Sequence, residues 1–219
     1  MMPASRAAKP RASTQEEIQP LVDLCKAGKL FEVQQWIAAG KVVDPPVYPN
    51  YRVRRRSPLE TAIELGFHSL VKVLLQGGAA VEATGYDSPM DKCLHMRRFD
   101  LVQLLVEHGY DAKSVSMEVV FNTWDPEIME YFIERGADVE EGNPLASALC
   151  SRIRTALRIL KRYKDRFPSF QEQANIALRH HCTEGNMKWV SLMLWAGADP
   201  YAPGSKNPND VNTGQEVQR

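Results

Sequence analysis

A glycine ends an apolar helical pattern at five places in this chain of 219 residues. Before each glycine stands a pair of apolar residues, such as Leu74 and Leu75, and a further apolar residue lies three or four positions earlier. This spacing is typical of an amphipathic helix that ends at a glycine in the left-handed conformation. Such repetition restricts the chain to architectures built by stacking one kind of unit. The five glycines are Gly40, Gly78, Gly109, Gly136 and Gly197.

A second helix is predicted before each of these helices, and proline marks its first turn. Proline is favoured there because the first N–H groups of a helix have no partner within the helix. Gly28, Gly66 and Gly185 indicate tight turns between the two helices. A helix pair of this length cannot bury its own apolar face, so stacked pairs must form the core. The openings are Ser57-Pro-Leu-Glu-Thr-Ala62, Ser88-Pro-Met-Asp-Lys-Cys93 and Asn143-Pro-Leu-Ala-Ser-Ala148, with Pro20-Leu21 as a weaker version.

These motifs resemble the ankyrin repeat. The family's opening, Thr-Pro-Leu-His-x-Ala, is matched at residues 57–62, 88–93 and 143–148, and its Gly-Ala-Asp ending at residues 136–138. The resemblance implies an all-α solenoid of stacked helix-turn-helix units with short β-hairpin fingers. About six units are expected over residues 16–203, between a disordered basic tail (residues 1–15) and a flexible polar tail (residues 204–219). Their first positions are Gln19, Ser57, Ser88, Val115, Asn143 and Ile176.

The chain departs from the family pattern in two respects. The histidine of the opening motif is replaced by Glu60, Asp91, Glu118 and Ala146, which leaves open how neighbouring units are hydrogen-bonded. The fifth unit lacks the closing glycine and continues into a basic run that ends at Pro168. A longer second helix is predicted for that unit.

The connection between the first and second units is unusually long. It spans 17 positions from Gly40 to Ser57, whereas the next three connections span 10, 6 and 7. In ankyrin repeats this connection carries the finger, so the first finger is expected to project furthest. Tyrosine and arginine are common at interface hot spots, and guanidinium groups bind carboxylate or phosphate in a forked geometry. The principal binding determinant is therefore predicted in this finger, at Tyr48, Tyr51, Arg52, Arg54, Arg55 and Arg56; the alternative is a solvated hairpin whose arginines pair with neighbouring acids.

Charge is segregated along the chain although the net charge is zero. Residues 1–60 carry +4, residues 61–143 carry −9, residues 144–170 carry +6 and residues 171–219 carry −1. Such a pattern can orient a complementary partner. Chance variation in surface charge between repeats is the other interpretation. The basic stretch Arg152–Arg166 is predicted to be a solvated helix face rather than a nucleic-acid site.

The sequence contains no phosphate-binding loop, nucleophile elbow or His-Glu-x-x-His motif. The tripeptide His180-His181-Cys182 suggests a metal site, but adjacent residues on a helix point about 100° apart. No second Cys/His pair stands at ligand spacing. We therefore expect no enzymatic activity, no metal and no cofactor. The four cysteines are expected to be reduced, buried, metal-free thiols.

The last unit carries Trp189, Met193 and Trp195. Exposed tryptophans would make this end a docking or dimer surface, whereas burial against the previous repeat would make it ordinary core. The sequence interpretation favours core.

The ankyrin resemblance implies a non-enzymatic module that binds a protein partner, as an adaptor, inhibitor or effector. The alternative is nucleic-acid or phospholigand binding through the basic finger and the basic fifth unit. On the family register the concave groove would be lined by Asp23, Lys26, Thr61, Glu64, Lys92, His95, Val119 and Asn122. Partner contacts are expected at the six finger residues and at Glu64, Tyr86, Lys92, His95 and Asn122.

Composition sets the remaining expectations. With no net charge and no apolar run near about 18 residues, membrane association is not expected. Residues 1–14 lack the apolar region of a secretory signal. We expect a cytoplasmic protein, or one in the cytosol or nucleus of a host if it is an effector, that is monomeric or weakly self-associating.

Overall fold

Helices account for the regular structure of the part of the chain that the structure describes. A computed structural model describes residues 11–46, 57–82 and 88–203, and these residues contain twelve α-helices, one short 3₁₀ turn at Ala112–Ser114 and no strand. The helices are α1 (Gln15–Lys26), α2 (Leu30–Ala38), α3 (Pro58–Glu64), α4 (His68–Gln76), α5 (Pro89–His95), α6 (Phe99–Glu107), α7 (Met117–Phe121), α8 (Pro126–Glu134), α9 (Pro144–Cys150), α10 (Arg154–Tyr163), α11 (Ser169–Thr183) and α12 (Met187–Ala196).

The helices form six pairs, each joined by a short turn, which confirms the predicted all-α repeat solenoid. These pairs, the repeats, are grouped into two larger compact units, which are called the first and second unit from here on. The first unit ends at Asp111 and the second begins at Ala112. Three pairs, α1 to α6, belong to the first unit, and three pairs, α7 to α12, belong to the second. Within the described residues, no helix is long and apolar enough to cross a membrane.

The helix starts predicted from Ser-Pro and Asn-Pro are correct. Ser57 accepts a hydrogen bond from the backbone N–H of Glu60, and the Glu60 carboxylate accepts one from the Ser57 N–H, so α3 begins with a complete capping box. Pro89 and Pro144 likewise open α5 and α9. Pro20 is different, because it lies inside α1, which begins at Gln15 after the cap Thr14. The interpretation of Pro20 as a weak helix opening is therefore wrong.

The extra length predicted for the fifth pair lies elsewhere. Helix α10 ends at Tyr163 and has ten residues, one more than the second helices of the first four pairs. The long helix is α11, which has 15 residues and begins at Ser169. It starts seven positions before Ile176, the predicted first residue of the sixth repeat. A turn at residues 164–168 separates the two helices, so the second helix of the fifth repeat is longer by one residue only, and the basic run does not extend it to Pro168.

Each unit buries its own apolar core, which agrees with the helical periodicity. All eight residues predicted from this periodicity are buried: Leu59, Ala62, Leu74, Leu75, Leu104, Leu105, Phe132 and Leu145. Burying a leucine or phenylalanine side chain stabilises a fold by about 1.5–3 kcal/mol, so stacking supplies what a single helix pair cannot.

Polar side chains at other positions than that of the family histidine connect neighbouring helix pairs. In the first unit, Asp44 accepts a hydrogen bond from the backbone N–H of Ala80 at 2.9 Å, and Arg98 donates to the carbonyl of Gly66 at 3.0 Å. In the second unit, the buried amide of Gln173 on α11 accepts hydrogen bonds from the N–H groups of Leu145 and Ala146, at 2.9 and 3.2 Å. The same amide donates to the carbonyl of Val139 at 2.8 Å. These bonds answer the question that the departures from the motif left open.

Candidate functional site

The tyrosines and arginines of the first finger, Tyr48, Tyr51, Arg52, Arg54, Arg55 and Arg56, lie outside the described residues, as does Tyr86. The finger prediction therefore stays a prediction. The remaining predicted contacts are described, with Glu64, Lys92 and His95 in the first unit and Asn122 in the second.

The first-unit residues already interact with one another. Lys92 on α5 donates a hydrogen bond to Glu64 on α3 at 2.8 Å, and its Nζ lies 3.7 Å from Glu60. This ion pair connects α3 and α5. Only 11% of the Lys92 side chain is exposed, so little of it is accessible to a partner. His95, on the same helix, is exposed.

Other members of the predicted groove differ in accessibility. Asp23 and Lys26 are exposed and form an ion pair at 3.3 Å. Thr61 is 2% exposed and its hydroxyl donates to the Ser57 carbonyl, so the prediction that it lines a groove is wrong. In the second unit Val119 is half-buried and Asn122 is exposed.

The structure places Trp195 on a surface that the sequence interpretation missed. Trp189 and Met193 are core residues as expected, but Trp195 is 65% exposed, and its assignment to the core is wrong. The reason is helical geometry: residues four positions apart share a face of α12, whereas Trp195 follows Met193 by two positions and points almost oppositely. That angular offset is readable from the sequence.

Trp195 faces a groove of about 570 Å³ beside the basic helix α10. The Nζ atom of Lys161 lies 3.4 Å from the centre of a Trp195 ring, a cation–π contact. Arg162 and Arg158 approach Glu130 on α8 at 2.6 and 3.7 Å. The full lining is Arg154, Leu157, Arg158, Lys161, Arg162 and Trp195.

A second polar network fixes the end of α10. The Tyr163 hydroxyl donates to Glu134 at 2.7 Å, and Arg166 donates to the same carboxylate at 2.9 Å. The Tyr163 hydroxyl and the Arg166 guanidinium hold the pKa of Glu134 below its usual value. Burial, then the interaction with Glu134, raises the pKa of Tyr163 to about 12. Tyr163 is therefore a neutral structural donor near neutral pH.

The groove combines an aromatic face with several cationic side chains. Guanidinium and ammonium groups bind carboxylate or phosphate oxygens, and an exposed indole buries apolar area when a ligand covers it. The arrangement suits an anionic ligand that also carries an apolar group.

Comparison with known proteins identifies the fold. No protein-family model matches the chain, and none of the curated proteins matches it. Solved structures of ankyrin repeat domains do match the chain. The human ASB11 ankyrin repeat domain matches with a TM-score of 0.57 and 17% identity, over 84% of this chain and 86% of that one. The ankyrin repeat domain of Bcl-3, a member of the IkappaB protein family, matches with a TM-score of 0.60 and 21% identity, over 82% and 86%.

A third similar structure is an ankyrin repeat domain from Acinetobacter baumannii AYE, with a TM-score of 0.59, 16% identity, and coverage of 82% of this chain and 98% of that one. The chain has the ankyrin-repeat fold. At these identities the likeness establishes the fold alone.

Within the ankyrin-repeat register, α10 and α12 are the second helices of the fifth and sixth repeats, whereas the predicted groove residues lie on first helices or at their ends.

The ankyrin-repeat register also identifies a residue that was not among the predicted site residues. Ala62, Cys93 and Ala148 occupy one small, buried position in their repeats, and His181 stands at that position in the sixth. Its imidazole is completely buried. The register alone could have revealed this substitution.

The cysteines differ from the expectation of uniform burial. Cys25 and Cys93 are buried, and burial raises the pKa of each thiol to about 12. Cys150 is half-buried and Cys182 is exposed. Cys182 follows His181 on α11 and faces away from the core because successive helical residues point about 100° apart.

Proposed function

We propose that this protein is a non-enzymatic, protein-binding ankyrin-repeat module that recognises an acidic segment of its partner. The observation that carries the proposal is the exposed Trp195 in the basic groove beside α10. Tryptophan and arginine are enriched among the few residues that dominate binding energy at protein interfaces. The ankyrin-repeat fold supports this class of function, since stacked repeats present extended binding surfaces.

The two components of the groove have different roles in this proposal. Exposed ion pairs contribute only about 0–1 kcal/mol each, so the arginines act mainly on association rate and on the choice of an acidic partner. The Trp195 ring supplies buried area once an apolar side chain of the partner covers it. Loss of the ring should therefore weaken binding more than loss of one charge.

The first finger and the first-helix residues remain part of the proposed interface. Tyr51 would supply buried area there as Trp195 does in the groove, while Arg56 would act on association. Glu64, Lys92, His95 and Asn122 would provide polar contacts. The module is proposed to act in the cytoplasm, as a monomer or with weak self-association.

The experiment compares matched baits. The full chain, Trp195→Ala, Tyr51→Ala and Arg56→Ala are used to capture proteins from the same lysate, and any protein retained by the parent is purified and its affinity measured for each bait. We expect Trp195→Ala and Tyr51→Ala to weaken binding more than Arg56→Ala, whose effect should appear in the association rate and its salt dependence. Normal helical circular-dichroism spectra of the variants exclude misfolding.

The outcomes separate the two surfaces. If only Trp195→Ala loses the partner, the interface lies at the groove. If only Tyr51→Ala loses it, the interface lies at the finger and the proposal for the groove is wrong. Retention of the partner by both variants with parental affinity would overturn the proposal.

The composition of the groove also supports a second candidate, single-stranded nucleic acid. Cationic side chains can follow the phosphates while a base stacks on Trp195. The test is binding of a labelled oligothymidine strand at low and high salt. This candidate requires a steep loss of affinity with salt and a further loss in Trp195→Ala; absence of binding at low salt would remove it.

A further inference from the structure

The buried histidine of the sixth repeat is only half satisfied. His181 replaces the alanine of the second and fifth repeats, and its Nε2 lies 3.1 Å from the carbonyl oxygen of Leu149 on α9. A carbonyl oxygen can only accept a hydrogen bond, so Nε2 carries the proton. Nδ1 of the neutral ring is then a buried lone pair, and no described residue donates a hydrogen bond to it. An unsatisfied buried acceptor costs free energy and calls for an explanation.

Two further side chains that can ligate a metal ion, those of His180 and Glu184, lie beside this lone pair. Glu184 lies one turn later on the same helix, with one carboxylate oxygen 3.6 Å from His181 Nδ1 and the other 3.5 Å from His180 Nε2. The donor atoms of the three residues all lie within 4.8 Å of one another. We propose that His180, His181 and Glu184 form a binding site for a divalent transition-metal ion, with Zn²⁺ as the expected ligand.

The chemistry of the site fits that ion. Two imidazole nitrogens and one carboxylate form a ligand set that zinc adopts, at about 2.0–2.2 Å from each donor. Around a tetrahedral ion of that size neighbouring donors stand about 3.4 Å apart. Each imidazole lies 3.5 or 3.6 Å from a different oxygen of Glu184, so the carboxylate would have to rotate or bind through both oxygens. Small side-chain rotations would complete the shell.

The surroundings have the features of a metal site's outer shell. Metal-binding histidines usually donate their second ring N–H to a carbonyl or carboxylate, which fixes the tautomer, and His181 does this with Leu149. The Arg152 guanidinium donates a hydrogen bond, at 3.3 Å, to the Glu184 oxygen that lies nearer His181. This bond orients the carboxylate. His180 is partly exposed, so the site has access to solvent.

A proton is the competing explanation for the lone pair. A proton on Nδ1 would face the Glu184 carboxylate at 3.6 Å, and the Zn²⁺ measurement below separates this alternative from a metal site. Adjacent histidines diverge on a helix, so the tripeptide by itself predicts no metal site. Glu184 adds a third ligand, because it lies four residues after His180 and three after His181 and lies near both rings.

The test measures Zn²⁺ binding to the untagged full chain by equilibrium dialysis with elemental analysis, and thermal stability with and without the metal. We expect one bound Zn²⁺ per chain and a higher melting temperature in its presence. Affinity should fall by at least about tenfold in His180→Ala, His181→Ala and Glu184→Gln, because each removes a direct ligand. His68→Ala, an exposed histidine in the first unit, and Cys182→Ser should bind as the parent does.

The variants keep the result interpretable. His181→Ala introduces the residue that the second and fifth repeats carry at this position, so it should fold, although it also removes the hydrogen bond to Leu149; Glu184→Gln tests the metal without that loss. Circular dichroism verifies the fold. The proposal is overturned if the parent binds no Zn²⁺, as the protonated alternative predicts. It is also overturned if His181→Ala and Glu184→Gln retain the parent's affinity, which would indicate adventitious binding.

Discussion

At the scale of single residues, the turns between paired helices share one backbone conformation with different side chains. Gly28, Gly66 and Gly185 have φ between 65° and 70°, the left-handed region that glycine adopts without steric cost. The other three pairs use Arg97, Trp124 and Arg152, with φ of 54°, 62° and 64°. The stacking of the helices imposes this turn even where the sequence does not offer glycine.

Arg97→Gly should therefore stabilise the protein. An L-residue in the left-handed region costs roughly 1–2 kcal/mol, and the exposed Arg97 side chain has little packing to lose. After the greater chain entropy of glycine is subtracted, we expect a gain of about 0.5–1 kcal/mol in unfolding free energy, measured by urea denaturation. The control is Gly66→Ala, which should destabilise because alanine is strained at φ 70° and its Cβ would come within 2.7 Å of the Arg98 guanidinium. An unchanged or lower stability for Arg97→Gly would contradict this account.

The Tyr163–Glu134–Arg166 network predicts a pH effect. The pKa of Glu134 is lowered in the folded state, so its contribution is fully present above its ordinary pKa of 4.5 and is lost as pH falls through the folded value. Tyr163→Phe removes the largest cause of that shift. We expect the stability difference between parent and Tyr163→Phe to be larger at neutral pH than in acid, measured by denaturant titrations across pH. Tyr201→Phe, which is exposed, should show no such difference.

At the scale of the helix, α9 and α11 show that a cap can come from a distant residue. Asn143 precedes α9 in a left-handed conformation and makes no side-chain cap. Gln173 on α11 supplies it, by accepting from the first N–H groups of α9 while donating to Val139. The early start of α11 is what brings Gln173 alongside α9. The sequence predicted both helices, but not this bond, because the two partners are nearly 30 positions apart.

Gln173→Leu should be strongly destabilising, although it changes the side-chain volume little. The change leaves two buried N–H groups and one carbonyl without their partner, and each unsatisfied group costs about 1–3 kcal/mol. We expect a loss of roughly 2–4 kcal/mol in unfolding free energy, since some of these groups will find other partners. Glu172→Gln, at the adjacent exposed position, should change stability by less than about 0.5 kcal/mol. Equal effects of the two changes would refute the proposed role of Gln173.

At the scale of the molecule, stability comes from stacked pairs within each compact unit. Leu75 illustrates this, because it is completely buried on α4 in the middle pair of the first unit. Helices of nine residues are too short to be stable alone, so their order depends on the apolar faces that they share.

Leu75→Asp should therefore unfold the first unit. An unpaired buried carboxylate costs several kcal/mol, comparable with the 5–15 kcal/mol by which typical domains are stable. We expect a large loss of helical circular dichroism at 25 °C. The matched control is Phe31→Asp, an exposed apolar residue at the start of α2, which should keep the parental spectrum. A parental spectrum for Leu75→Asp would contradict the assignment of this core.

The sequence alone determined the repeat, the six helix pairs, the three helix starts marked by Ser-Pro or Asn-Pro, and the predicted core, because caps, closing glycines and helical periodicity act over a few residues. Only the tertiary structure decided how Gln173 caps α9, that the carbonyl of Leu149 binds one nitrogen of His181, and that no described residue donates a hydrogen bond to the other. These features depend on which helix packs against which. Burial and hydrogen-bond satisfaction are set by residues far apart in the chain, and local patterns do not carry that information.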